Sequence, residues 1–411
     1  MAEILETGPR GFGRLGRALR HPAFRFFFAG QAVSLTGTWV QSVAQSWLVY
    51  RLTGSPLLLG TVVFAGQLPV FLLSAPAGAL ADRWPKRRLI VVTQAIQMML
   101  AALLAGLTLS GLVTVPMVMA VAALSGIVQA IDVPARQSFV VEMVGRDDLP
   151  NAIALNSSLF NGARMVGPAL GGLIVAWVGE GWCFAINAAS FAAVILGLLV
   201  MPLVGPPAAA GTTRGLAALA EGLRYAWGEA AVRKLLLLVG WTSLVGMPYT
   251  TLLPVFAALK HGGGPATLGA LMASAGGGAL AGALTLAFLG RAPRIAVPGI
   301  AAGAFGAMLA LFALCDLYPL ALACLALAGF SLMIEVGSAN IIVQTTVPDA
   351  LRGRVMALYA TMFLGMAPFG GLFIGALAEA LDVVAATAVG GMLTALAGVT
   401  LVTSSRRKPV L

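Results

Sequence analysis

Of the chain's 411 residues, 59% are hydrophobic and only 10% charged, against roughly 25% charged in soluble domains, which excludes water as the solvent for most of its surface. The formal net charge of +10 would fit a nucleic-acid binder, but the placement of the cations, set out below, excludes that class. Three scattered cysteines and two histidines at opposite faces of the apolar pattern offer no metal cluster, disulfide framework or catalytic triad, so neither a cofactor nor an enzymatic activity is expected.

A membrane-spanning helix needs about 20 apolar residues. After a basic N-terminal segment, residues 1–22, the chain offers twelve such stretches in succession. The first six, 24–50, 57–81, 89–109, 115–134, 150–178 and 183–202, make a six-helix unit over residues 23–202. Residues 203–233 break the pattern with Pro206-Pro207 and an amphipathic stretch around Leu216 to Trp227, which predicts a linker carrying a surface helix. The second six, 235–259, 266–289, 295–315, 319–341, 354–378 and 383–403, make a second unit over residues 234–403, followed by a tail, 404–411.

Polar residues inside these spans must face protein or a watery cavity, because lipid offers them no partner. In the first span Gln31, Ser34, Thr38, Gln41 and Gln45 recur at intervals of 3, 4, 3 and 4 and so share one face. Such residues can act as glue between packed helices, at about 0.6 to 2 kcal/mol each. Five in register favour a cavity lining, which makes Gln31, Thr38, Gln41 and Gln45 candidates for substrate contact. In the fourth span Ser125, Gln129, Asp132 and Arg136 form one stripe. Asp132 is expected to close a gate by a salt bridge, the alternative being a carboxylate that binds and releases protons.

The fifth span carries Ser157, Asn161, Arg164 and Pro168 on one face, with Arg164 deep in the bilayer. A cation there costs from about 2.5 to well over 10 kcal/mol unless compensated. Two readings stay open: Arg164 anchors an anionic group of a substrate, or it donates to backbone carbonyls. The seventh span offers the thinner stripe Thr242, Gly246 and Tyr249, and Tyr249 joins Asn161 and Arg164 as a binding candidate. Glu335, in the tenth span, is the other acid within the spans and shares with Asp132 the candidacy for proton coupling. Small residues at Gly-x-x-x-Gly spacing, as in Gly167 and Gly171, let helices approach closely.

Of the 25 Lys and Arg residues, 22 fall in loops on one side of the membrane, only Arg51 and Lys260 fall on the other, and Arg164 lies within a span. Cationic loops resist translocation and are held by anionic lipid on the cytoplasmic face. The partition predicts an even number of spans, both termini in the cytoplasm, and lipid rather than nucleic acid as the partner. Features also recur 203 residues apart: Gly126 and Asp132 match Gly329 and Glu335, and Ala154-Leu155 matches Ala357-Leu358. Two like bundles around a central cavity are the architecture of alternating access, in which one half rocks against the other.

The run Gly78-Ala79-Leu80-Ala81-Asp82-Arg83-Trp84-Pro85-Lys86-Arg87 resembles the signature loop of the major facilitator superfamily, with Pro85 where the family has Gly. The resemblance implies a twelve-helix transporter and a conformational latch made by Gly78, Asp82, Arg83, Lys86 and Arg87, in which Asp82 meets the start of the eleventh helix and Lys86 or Arg87 meets Asp132. Gly162, Gly167-Pro168 and Gly171-Gly172 resemble a fifth-helix motif of exporters. Asp132-Val133-Pro134-Ala135-Arg136-Gln137, Asn161 with Arg164, and Arg352-Gly353-Arg354-Val355-Met356 resemble the enterobactin-exporter branch. That branch implies proton-driven export of a siderophore, a drug or another small organic molecule across the bacterial inner membrane; the alternatives are an importer or uniporter of a small metabolite and a non-transporting membrane protein on the same fold, and a monomer is expected in each case.

Overall fold

The computed structural model describes residues 16–81, 84–202, 216–289 and 293–406. Among these residues every regular element is helical. α1 (Pro22–Thr53) starts with a Pro in its first turn, where the missing N–H costs nothing, and ends at Gly54, whose φ of 65° lets its N–H cap the Tyr50 carbonyl. α2 (Pro56–Ala81) and α3 (Lys86–Leu109) follow.

The stretch Val115–Val178 is helical throughout except at Gly145, with φ 73° and ψ 179°. It therefore forms two helices, α4 over 115–144 and α5 over 146–178. Then come α6 (Glu180–Val200), α7 (Leu216–Gly228), α8 (Ala230–Lys260), α9 (Pro265–Leu289), α10 (Ala296–Leu314), α11 (Tyr318–Thr346), α12 (Asp349–Ala380) and α13 (Val383–Arg406). Ten helical stretches are long and apolar enough to cross a membrane; dividing the longest at Gly145 and adding α1, whose apolar character its polar face dilutes, gives twelve spanning helices with α7 between the halves.

Two expectations are corrected here. Residues 135–149 are not a loop: α4 runs on to 144 because its polar side chains find partners on α1 and α3, and one glycine makes the whole turn. The linker is also shorter than expected, since α8 begins at Ala230.

Within the first half α1 packs on α5 and α6, and α2 on α4; within the second α9 packs on α11, and α10 on α13. The halves meet chiefly along two helix pairs, α5 with α9 and α2 with α12, with smaller contacts of α1 and α2 on α8 and of α1 on α9. Glycines allow the approach. A Cβ on Gly172 would lie 2.9 Å from the Gly269 Cα, and one on Gly375 would lie 2.7 Å from the Pro56 carbonyl oxygen.

These contacts sit at the end of the bundle away from the chain termini, here called the far end. Its two apolar cores interlock, Val43 of the first half joining the core of Leu253, Phe256 and Phe312, and Val255 of the second half joining that of Leu48, Leu104 and Phe184. At the terminal end the cores stay separate, one around Phe24, Phe139 and Leu198, the other around Leu235, Val239 and Val355. α12 breaks at a turn over 365–366. Its first segment, Asp349–Leu364, packs on α7, α8 and α11, and only its second, Ala367–Ala380, packs on α2. Among the described residues the halves thus share their apolar cores at the far end and not at the terminal end.

Candidate functional site

Asp132, 2% exposed, is the centre of a polar network inside the first half. Arg136, one turn on, places Nε 2.7 Å from Oδ2, while the Thr93 hydroxyl and the Gln94 amide donate to Oδ1 at 2.6 and 3.1 Å. Arg136 also donates to Gln31 Oε1 at 2.9 Å. A second exchange joins the same helices, Ser125 donating to Gln97 Oε1 at 2.6 Å and Gln97 donating to the Ser125 carbonyl at 3.0 Å. A buried charge needs this degree of satisfaction, and the network fixes α1, α3 and α4 as one body.

The first-helix stripe is accordingly divided. Gln31 is held by Arg136, and Gln41 accepts from Asn187 of α6 at 2.7 Å, so both serve as contacts between helices. Thr38 donates to the Ser34 carbonyl one turn back and is exposed, and Gln45 is half-buried. These two remain available to a cavity.

The expected pairing of a loop cation with Asp132 does not form. Lys86 instead lies 3.1 Å from Glu142, with both side chains largely buried, and Arg87 donates to the Leu199 carbonyl at 2.8 Å. The reason is depth: Asp132 sits ten residues, nearly three turns, deeper along α4 than Glu142. Gly78 lies in the last turn of α2, and Asp82 and Arg83 fall outside the described residues.

Glu335, 0% exposed, is the second-half counterpart of Asp132 but has a different environment. Thr242 donates to its Oε1 at 2.7 Å, its Oε2 has no hydrogen-bond partner, and no cation pairs with it among the described residues. The position matching Arg136 at the 203-residue offset is Ala339. Thr242 opens a π-helical turn, Thr242–Gly246, and a second, Phe256–Lys260, follows at the far end of α8. Such turns interrupt regular helix and recur at functional sites.

Tyr249 lies between those two turns, 2% exposed, its ring edge-on to Phe305 at 6.2 Å and its hydroxyl without a partner. Across the interface, the Arg164 guanidinium of α5 and the Tyr249 phenol lie within electrostatic range of each other. Among the described residues Arg164 forms no ion pair and no hydrogen bond. Asn161, one turn away and 4% exposed, donates to the Ser157 carbonyl at 2.9 Å. The structure therefore brings Arg164 and Tyr249 together from opposite halves, close to where the α5–α9 contact seals the far end at the Arg164 carbonyl and Gly276.

The small-residue motif is used for packing at most of its positions. Gly167 faces Trp39, Gly171 faces Val40, and Pro168 and Gly172 face Gly269. Gly162 departs from this: a Cβ there meets nothing within 4 Å, so it closes no helix contact. At the far end Glu379 of α12 accepts from the Ser55 hydroxyl at 2.9 Å and the Leu57 N–H at 3.3 Å, capping the start of α2 from the other half.

Sequence reasoning missed Thr93, Gln94 and Gln97, Glu142, and Glu379. The α3 residues did carry a signal, a polar stripe at helical spacing in an apolar span; Glu142 and Glu379 sit at helix ends, where charges are ordinary.

Comparison with known proteins agrees with this architecture. The transmembrane secretion effector family matches the chain over residues 17–409. The multidrug efflux pump Tap of Mycolicibacterium fortuitum is 29% identical over 371 residues, covering 88% of this chain and 90% of its own. The enterobactin exporter EntS of Shigella boydii is 27% identical over 388 residues, covering 93% and 91%. The solved structure of the nucleoside transporter NupG shares the fold, with a TM-score of 0.71 at 16% identity over 95% of this chain and 100% of that one. The chain belongs to the transmembrane secretion effector family of the major facilitator superfamily, whose members are membrane transporters and not enzymes.

Proposed function

We propose that the protein exports a small organic molecule across the bacterial cytoplasmic membrane, in exchange for protons, by alternating access. The observation that carries this reading is the asymmetric contact between the halves: among the described residues their apolar cores interlock at the far end and stay separate at the terminal end. The names of the relatives, an efflux pump and a siderophore exporter, favour the outward direction. The cation partition supports cytoplasmic termini, and the two far-end cations are both neutralised, Arg51 by Glu180 at 2.7 Å and Lys260 by Asp316 at 3.2 Å. A cysteine placed at Asp147 should be labelled only after the cell is permeabilised; labelling in intact cells would reverse the orientation.

The proton acceptor in this reading is Glu335. An ionised carboxylate buried without a cation costs several kcal/mol, and a proton removes that cost. Asp132 already has Arg136 and two further donors, so its charge is compensated where it stands. Proteoliposomes with an imposed pH gradient and a panel of amphipathic acids, amines and neutral compounds test the proposal. Uptake of at least one compound should collapse with a protonophore, and Glu335→Gln should abolish gradient-driven uptake while sparing exchange at equal pH. Uptake indifferent to the gradient would overturn the coupling, and absence of any uptake would overturn the transport of these compound classes.

A further inference from the structure

We propose that the cargo is an organic anion, its acidic group held between the guanidinium of Arg164 on α5 and the hydroxyl of Tyr249 on α8. This deepens the export reading and rests on it for the location of the site.

The argument begins from what Arg164 lacks. Asp132 is matched within its own half by Arg136, and Arg164 has no such counter-charge among the described residues. Arg164 is half-buried; Glu142 is paired with Lys86 and Glu180 with Arg51, and Glu335 forms no ion pair with Arg164. Donation to backbone carbonyls was the competing account of this cation, and among the described residues no such hydrogen bond forms.

A guanidinium in the bilayer interior with no internal compensation requires it from outside, and it presents a planar fork of donors suited to an oxyanion. The second observation is independent of the first. The Tyr249 hydroxyl is buried and unpartnered, which is unfavourable by about 1 to 3 kcal/mol unless a ligand completes it. A phenol donates its proton readily to an oxyanion, whereas an ammonium group would present only donors to Arg164 and would be repelled by its charge.

The two groups also come from different halves. A ligand that accepts from both favours the conformation in which α5 and α8 are close at that depth, so binding of an anion ties cargo recognition to the state of the far-end seal.

Three probes of one shape and different charge test this on the full-length protein in lipid nanodiscs: 1-naphthoate, 1-naphthylmethanol and 1-naphthylmethylammonium, read by calorimetry. The wild type should bind naphthoate saturably and about tenfold or more tightly than either analogue, the range for a charge-assisted hydrogen bond. Arg164→Gln should weaken naphthoate about tenfold to a hundredfold and leave the alcohol unchanged, and Arg164→Lys should recover part of the loss. Tyr249→Phe, which keeps the ring against Phe305, should weaken naphthoate about threefold to tenfold.

The charge preference of the wild type needs no variant to fold. Equal or tighter binding of the ammonium, no saturable naphthoate binding up to about 1 mM, or naphthoate binding unmoved by Arg164→Gln would each overturn the proposal. Gradient-driven flux of an amine or a neutral compound that survives Arg164→Gln would discard the anion and keep the exporter. Failure of all flux with naphthoate binding intact would do the reverse.

Discussion

Asp132 and Glu335 stand 203 residues apart at the same place in the two halves, yet one residue, Arg136 against Ala339, separates their roles. In the first half the carboxylate and the guanidinium form a unit, with Thr93, Gln94 and Gln31 completing it. Removing one member of a buried pair leaves the other charged and unmatched, which costs about 3 to 5 kcal/mol, whereas removing both often costs little. Arg136→Gln should therefore lower the melting temperature in detergent, and adding Asp132→Asn to it should restore most of the loss. A double variant no more stable than the single one would mean that the pair is not a unit. At this scale the sequence was legible along one helix and illegible between helices. The spacing of Asp132 and Arg136 is written in the chain, and so is the isolation of Arg164. Which turn of α3 faces Asp132, and that Lys86 meets Glu142, depends on the relative depth of helices, which residue spacing does not encode.

The elements follow the hydrophobic pattern where apolar stretches are bounded by charges or Gly, and depart from it where breakers coincide with helix starts. Arg146, Asp147, Asp148 and Pro150 read as a loop, yet acids in the first turn of a helix oppose the positive end of the dipole, and Pro150, the fifth residue of α5, forgoes only the bond to the Arg146 carbonyl. They open α5. Asp148 at that corner accepts from His21 at 2.9 Å and lies 3.0 Å from Arg17, while the Ala18 N–H donates to Asn151 Oδ1 at 2.9 Å. The chain's first described turn, Arg17–Arg20, is thereby tied to the α4–α5 corner. The hydrogen bond with His21 and the positive charges of Arg17 and Arg20 hold the Asp148 carboxyl below the usual carboxylate range. A group lowered in the folded state stabilises above its ordinary value, near 4, and the contribution fades as the pH falls through the lowered one. Protection of the Ala18 amide from hydrogen exchange should thus be flat from pH 7 down to about 5 and decline below about 4, after correction for the intrinsic rate. Asp148→Asn should reduce it at neutral pH; protection unchanged in that variant would detach the tie from this carboxylate.

At the scale of the whole molecule the two-half plan was legible because it repeats: rare intramembrane acids recur at one constant offset, as like bundles would place them, and residues 203–233 depart from the pattern of both. The conformational state was not, since the same residues must serve a molecule open at either end. What distinguishes the observed state is the far-end seal, built from glycine contacts of α5 with α9 and of α2 with α12, and from the Glu379 cap on α2. Close glycine contacts are tight but carry few polar bonds, so the seal can part without leaving buried polar groups unmatched. The two central networks behave differently, since Asp132 binds α1, α3 and α4 within one half and Glu335 binds α8 and α11 within the other. Each half is cross-braced internally and joined to its neighbour mainly by shape, which is what rigid-body rocking requires. A Cβ on Gly375 would lie 3.3 Å from the Leu57 Cα, so cysteines at Leu57 and Gly375 can be joined across the seal. Oxidation of the Leu57→Cys, Gly375→Cys pair should stop flux while leaving binding from the terminal end intact, and reduction should restore it. Wild-type flux through the oxidised protein would mean that the far end never opens along α2 and α12, and alternating access about this seal would be untenable.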